Sequence, residues 1–361
     1  MRLGRRLALD PGEEGVRARE DEDECKGRVR VGPGWMGTPG EEDHPLQSGF
    51  YANIKNENGS DGGGDGVWGA NRWPRLKDEK TEIDGSSRDF EECFTSAAEL
   101  MHHVALSTLD LAQKAAVEVM DDSVSNKTGD GGSSKTASEI LPDLRKMAEE
   151  SDFLPARLVY YDANFSREDT IMKGGTNGDD GHKYWLPWHV DFNLATAFAP
   201  AMWIDEAAAL EGHEDEFSPE RASSTTCSGG NPEHGAGLLL RNPDGKVVPA
   251  ALDDDCILIQ LGAHSQLATG GILRAGPHAV GKGKVSTEGD GAEGYKFGRL
   301  SFGLFVYGPW TAKMKPSEEM LKMMDSDEVL KDDFGCLMEK AYTGDTVLEG
   351  YRKFESYMNG L

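Results

Sequence analysis

The sequence predicts a mainly β protein with flanking helices, a barrel or jelly roll covered by an amino-terminal helical portion. Two patterns carry that expectation. Apolar residues recur with helical period through one long early stretch, from Phe90 to Val119. From Arg157 onward the texture changes to short apolar runs separated by turn residues, which is how antiparallel strands read. Helices first and many short strands afterwards suggests helices packed on a rolled sheet.

Element by element, FEECFTSAAELMHHVALSTLDLAQKAAVEV puts Phe94, Ala97, Ala98, Met101, Val104, Ala105, Leu109 and Ala112 near one stripe of a helix. A second helix is expected over Ala137 to Glu150 despite Pro142, a third over Ser317 to Met324, and further helix near the carboxyl end. The expected strands are ARLVYYDA, WLPWHVDF, NLATAFAPAMW, GLLLRN, KVVPAAL, CILIQLG, GPHAV and RLSFGLFVYG. In LLLRNPDGKVVPA the Pro243, Asp244 and Gly245 between two apolar strands signal a hairpin. Segments rich in Gly, Ser, Asn and charge, roughly 1–45, 55–66, 121–136, 205–235 and 281–294, read as solvated loops or tails. The expected organisation is a poorly ordered segment over 1–48, a helical portion over 49–155, a core over 156–312 with an acidic insertion near 205–235, and a helical segment over 313–361.

Composition narrows the function classes. A formal charge of -26 repels phosphate backbones and anionic membranes, and the sequence holds no basic patch to offset it, so nucleic acid and membrane are not expected partners. A small-molecule substrate is favoured, with oligomeric state open. Five scattered cysteines, an odd number without CxxC spacing, argue against a disulfide framework and against a zinc-thiolate site. The amino terminus has too short an apolar run for a signal peptide, and no apolar run approaches membrane-spanning length. The expected location is cytoplasmic, with plastid or mitochondrial targeting left open by the early arginines.

His189 and Asp191 form an H-x-D, and residues two apart on a strand share a face, so imidazole and carboxylate can converge on one metal ion. Nine His and 64 acidic residues in 361 positions give about 1.6 such pairs by chance. A second pair, His213 and Asp215, lies in an acidic stretch and reads as solvated, whereas His189 and Asp191 sit among residues that favour burial. A carboxylate buried in an apolar strand needs an offsetting partner, and a divalent cation is one. Further on, His278 follows a Gly-rich turn. Two His and one carboxylate on one face of a metal suit non-haem Fe(II). Arg299 and Ser301, two apart on the last strand, suit a carboxylate, the guanidinium binding it bidentately and the hydroxyl adding a donor.

H-x-D, then a Gly-rich turn with His, then R-x-S at the head of an apolar strand is the order of the 2-oxoglutarate and Fe(II)-dependent dioxygenase superfamily, and the chain resembles its isopenicillin N synthase-like branch. ARLVYYDA looks like that branch's strand ending in paired tyrosines, DDDCILIQLGAHSQLATGGILRAGPHAV like its approach to the distal histidine, and NRWPRLKD with the Phe90 helix like its amino-terminal portion. Coverage runs from about Gly49 to about Met320. The resemblance implies a double-stranded β-helix (jelly roll, cupin-like), with His189, Asp191 and His278 as metal ligands for Fe(II). It implies Arg299 and Ser301 on the distal carboxylate of 2-oxoglutarate, and Tyr161 on the same cosubstrate. It also implies O2-dependent hydroxylation or desaturation of a small organic substrate, with release of succinate and CO2. The chain departs from the pattern at Val159, where plant members often carry Asn, and in longer stretches before and after His278.

Two other readings stay open: an isopenicillin N synthase-type Fe(II) oxidase without 2-oxoglutarate, and a catalytically silent jelly-roll binding module. Other features read as structural. His102 and His103 are adjacent on a helix and face different ways, Trp185, Trp188 and Phe192 read as packing, Cys256 as a buried strand thiol, and Gly174, Gly175 and Gly178 lack the residues of a phosphate loop.

Overall fold

In the computed structural model the described residues are 34–36, 47–55, 71, 73, 81–83, 86–88, 90–127, 136–161, 184–205, 236–320 (apart from 243, 251, 254, 283–296, 315 and 319) and 346–358. Thirteen strands among them are β1 (Gly34–Met36), β2 (Gln47–Asn53), β3 (Thr81–Ile83), β4 (Ser86–Arg88), β5 (Pro155–Tyr161), β6 (Tyr184–His189), β7 (Ala195–Phe198), β8 (Met202–Asp205), β9 (Ala236–Arg241), β10 (Val247–Pro249), β11 (Leu258–Leu261), β12 (His278–Lys282) and β13 (Phe297–Val306). The helices are α1 (Phe90–Lys127), α2 (Ala137–Ile140), α3 (Leu144–Glu149), α4 (Ala263–Ala268) and α5 (Val347–Met358). Of the acidic segment near 205–235 all but Asp205, together with the His213–Asp215 pair, Gly174, Gly175 and Gly178, and residues 283–296 of the excursion before Arg299, lie outside the described residues.

All strand pairing among the described residues is antiparallel. The larger sheet runs β1-β2-β5-β13-β7-β11 with β8 also on β13, and the smaller runs β10-β9-β12-β6. Strands β7 and β8 lie end to end along one edge of β13, Ala195–Phe198 against Gly303–Val306 and Met202–Asp205 against Phe297–Leu300. The single strand expected from NLATAFAPAMW is thus two, broken at Ala199–Ala201, where Pro200 has no N–H for a ladder. The β9–β10 hairpin forms as expected, with Gly245 at φ 77°, a conformation that favours glycine.

Strands β5 and β13 bury both faces, and their alternation sorts the side chains. Ala156, Leu158 and Tyr160, with Leu300, Phe302, Leu304 and Val306, join Phe94, Ala98, Met101, Ala105 and Leu109 of α1 in one core. Phe94 meets Phe302 edge to face at 4.8 Å, and Phe50 of β2 meets Phe90 and Phe94 at 5.1 and 5.2 Å. The opposite faces turn toward the smaller sheet: Val159 and Tyr161 pack with Trp185 and Val280. Two facing sheets with helices outside is the β-rich class expected.

Several boundaries differ from the sequence reading. Strands β1 and β2 lie in or at the edge of the segment read as tail, because Phe50 and Ala52 are fully buried once β5 lies beside them. Helix α1 continues to Lys127, eight residues beyond Val119, since Ala116 and Met120 pack against Ala137 and Ile140; Ala97, expected in its stripe, is exposed. The helix expected over Ala137–Glu150 is two. Leu141, preceding Pro142, is extended at φ -74° and ψ 135°, and Asp143 starts α3 by accepting from Lys146 N at 2.9 Å. Of the helix expected over Ser317–Met324, residues 318 and 320 are helical and 321–324 lie outside the described residues. Cys256 is exposed rather than a buried strand thiol: its N–H closes a turn onto Asp253 O at 3.0 Å, and the strand begins only at Leu258.

Candidate metal centre

His189 is the last residue of β6 and His278 the first of β12, and the register sets them opposite each other. Cross-strand partners share a face, so the rings meet with centroids 4.0 Å apart. Asp191 lies two residues past the end of β6, so its convergence is set by the turn that follows rather than by strand geometry. Its Oδ1 is 3.6 Å from His189 Nε2 and its Oδ2 is 3.8 Å from His278 Nε2. The three side chains are all buried and offer ligand atoms within 4.8 Å of one another. Two imidazoles and one carboxylate suit a divalent first-row metal, so the donor set fits the iron that the sequence resemblance implies. Burial opposes ionisation of Asp191, yet His278, His189, the Thr196 hydroxyl and Arg157 together hold its carboxyl below the usual range.

The turn carrying Asp191 is fixed from two sides. Thr196 Oγ1 of β7 donates to Asp191 Oδ2 at 2.5 Å and accepts from Asn193 Nδ2 at 2.8 Å. The start of α4 donates backbone N–H groups: Ala263 to Asp191 O at 2.7 Å, Gly262 to Leu194 O at 3.0 Å, His264 to Phe192 O at 3.2 Å. This approach requires glycine at 262, because a Cβ there would overlap both the backbone oxygen and the side-chain Oδ1 of Asn193. Gly262→Ala is therefore expected to push the Asp191 turn away from α4 and to destabilise the fold by about 3 kcal/mol or more, read as an earlier urea unfolding midpoint; an unchanged midpoint would show that the turn relaxes freely.

His278 is oriented from behind. Its Nδ1 lies 2.5 Å from the side-chain amide of Gln260 and 3.1 Å from Gly276 O. With Nε2 turned to a metal, Nδ1 carries the proton and donates. The acceptor for that proton is Gly276 O, which also accepts from Gln260 Nε2 at 2.8 Å, so Gln260 fixes the carbonyl that orients the ring. Gln260→Leu is expected to weaken Fe(II) binding ~10-fold while the fold survives; equal affinities by metal titration would make Gln260 a packing residue only.

On the facing sheet, Arg299 pairs with Tyr161 and Ser301 with Val159 across β13 and β5. Arg299 and Ser301 are buried, and the Arg299 guanidinium carbon lies 5.5 Å from the centre of the Tyr161 ring. Burial works against the Arg299 charge and its hydrogen bond with Tyr161 favours it. Arg299 Nε has no hydrogen-bond partner among the described residues. A buried guanidinium with an unused donor calls for an anion. Tyr161 stacks on Trp185 at 5.5 Å, so Trp185 packs between the sheets, as expected. Trp188 carries Arg241 over its ring at 4.8 Å, and Phe192 is buried in a separate core cluster. His102 is half-buried with its proton affinity pushed down to about 4, chiefly by burial, while His103 is exposed, so the two face different ways.

Sequence reasoning missed Thr196, Gln260, Gly262 and Arg157. Only Arg157 had a readable signal, since it lies four residues before Tyr161 and strand alternation puts both on one face. One other group of metal-capable side chains occurs among the described residues, Asp253, Asp255 and Cys256, all exposed.

No family model matches the chain, and no curated protein is significantly similar to it. Solved structures are. A candidate oxygenase from Shewanella oneidensis is 13% identical, with 84% of this chain and 73% of that one covered and a TM-score of 0.43. A full-length Neurospora crassa protein, solved in complex with alpha-KG and thymine, is 10% identical, with 90% and 74% covered and a TM-score of 0.42. A candidate 2OG-Fe(II) oxygenase family protein from Caulobacter crescentus is 13% identical, with 91% and 76% covered and a TM-score of 0.42. In motif order and in the grouping of its site residues, the chain resembles the 2-oxoglutarate and Fe(II)-dependent dioxygenase superfamily. At TM-scores below 0.5 the chemistry has to come from the side chains themselves.

Proposed function

We propose that the protein is an Fe(II)- and 2-oxoglutarate-dependent oxygenase of a small organic molecule, built on a double-stranded β-helix spanning about 156–312, with the segments before and after it as cover. The single observation that carries this reading is the buried His189–Asp191–His278 cluster facing a buried, incompletely paired Arg299. Strand order supports the fold: β5, β7, β11 and β13 belong to the larger sheet, while β6, β9, β10 and β12 between them belong to the smaller. Among the described residues no helix is long and apolar enough to cross a membrane.

His189, Asp191 and His278 would hold the iron through two imidazole nitrogens and a carboxylate oxygen. Bound there, Fe(II) supplies open positions for 2-oxoglutarate and O2, whose reaction yields succinate and CO2 as a C–H bond of the substrate is oxidised. The chain's own part is positional. Arg299 holds the far carboxylate of 2-oxoglutarate by a charge-assisted fork, and Ser301, two residues on along the same face, adds a hydroxyl donor. Tyr161 steadies the guanidinium. Val159, Trp185 and Val280, all buried, keep water from that end of the site. Anaerobic titration of the protein with Fe(II) and then 2-oxoglutarate should develop the visible charge-transfer band of the chelate, and aerobic incubation should release succinate. Iron binding without the band or succinate would remove the cosubstrate from this reading and leave an oxidase or a binding module.

A further inference from the structure

A second arginine stands on the same wall. Arg157 of β5 is opposite Gly303 of β13, and Gly303 is in turn opposite Phe198 of β7, whose ring lies 3.5 Å from where a Cβ on Gly303 would sit, so an aromatic face rather than a β13 side chain covers the neighbouring position. Arg157 is half-buried, so part of its side chain remains accessible, and its neighbours Tyr51, Tyr161 and Asp191 favour its charge against the cost of burial. It is hydrogen-bonded to Tyr51, and its guanidinium carbon lies 5.4 Å from the centre of the Phe305 ring. Tyr51 and Phe305 are both partly exposed, at the edge of the cluster that contains Phe192 and Val190. Arg157 acts on Asp191 electrostatically, and Arg299 is not among the groups that do. The two guanidiniums also repel each other.

Charge then decides what is missing. Among the described residues, the carboxylate acting on Arg157 is that of Asp191, which is already committed to the metal cluster. Among the described groups, Arg157, Arg299 and the Fe(II) of the oxygenase reading bring four positive charges and Asp191 one negative, leaving three to be offset by bound anions. A 2-oxoglutarate dianion on Arg299 supplies two. We propose that Arg157, with the Tyr51 hydroxyl beside it, binds the carboxylate of the primary substrate, which is therefore a monocarboxylic acid. This assignment rests on the oxygenase reading, which supplies both the iron charge and the location of 2-oxoglutarate in that count.

The test uses the full chain held anaerobically with Fe(II) and 2-oxoglutarate, titrated by calorimetry with a series of monocarboxylic acids from acetate to phenylpropanoate and with the primary amide of each. The expected result is at least one acid binding ten-fold or more tightly than its amide, a preference lost in Arg157→Gln while the band formed with Fe(II) and 2-oxoglutarate still develops. Arg157→Met guards against a merely structural role: apo protein carrying it should unfold within a few degrees of wild type, since the desolvation cost of a buried cation is removed together with its contacts to Tyr51 and Asp191. No acid preferred over its amide, a preference that survives Arg157→Gln, or a fall of more than about 5 °C in Arg157→Met overturns the assignment. Failure of the oxygenase reading is separately visible as absence of the 2-oxoglutarate band, and the acid-against-amide comparison then runs with Fe(II) alone.

Discussion

Asp191→Ala is expected to weaken Fe(II) binding by more than ~100-fold, beyond the 10- to 100-fold typical of groups that only orient a ligand. The carboxylate is the cluster's one anionic donor, and both of its oxygens face imidazoles, Oδ1 toward His189 and Oδ2 toward His278. Its loss leaves two neutral nitrogens, a set with too little charge to hold a hard divalent ion. The fold should persist, because the Asp191 carbonyl still accepts from Ala263 N and the removed carboxylate carried a burial cost of its own. Anaerobic equilibrium dialysis against Fe(II), beside a thermal melt, separates the two effects. His278→Ala should behave the same way, and normal iron occupancy in that variant would mean that the third ligand lies elsewhere.

Arg299→Gln is expected to lower 2-oxoglutarate affinity by ~30- to 1,000-fold, the range of about 2–4 kcal/mol for removing a buried charge-assisted partner. Iron affinity should stay within two-fold, since Arg299 belongs to the sheet facing the ligand histidines and none of the three ligands pairs with it. Arg299→Lys should recover only part of the loss, because a point charge on a flexible stem cannot reproduce the two parallel bonds of a guanidinium. Calorimetry with 2-oxoglutarate on anaerobic, iron-loaded protein reads both variants. Wild-type affinity in Arg299→Gln would assign the anchoring role to another residue.

These two variants probe residues that spacing marked and that the order of motifs along the chain singled out, and the reason the spacing was legible is local. His189 and Asp191 are two apart, and so are Arg299 and Ser301, and each pair lies in or beside an apolar run that only a buried strand explains. The α1 stripe was readable for the same reason, through Phe94, Ala98, Met101, Ala105 and Leu109. What failed was where long-range contacts override local pattern. QSGFYAN has no strand signature of its own, yet pairs along its whole length with β5. AHSQLA shows no apolar period because all six residues of α4 are buried, polar ones included. Met120, just past the expected end of α1, is buried because Ala137, Ile140, Leu141 and Met320 gather around it.

The sequence by itself determined the class of donors and their order along the chain, because residue chemistry and a two-residue period are properties of short segments. The tertiary structure alone decided that His278 lies opposite His189, that the turn after β6 aims Asp191 between them, and that Gln260 and Thr196 stand behind the ligands. It alone set Arg157 beside a glycine on the wall that carries Arg299. Those placements depend on strand register, and register is fixed by how two distant faces bury each other rather than by any one strand's residues.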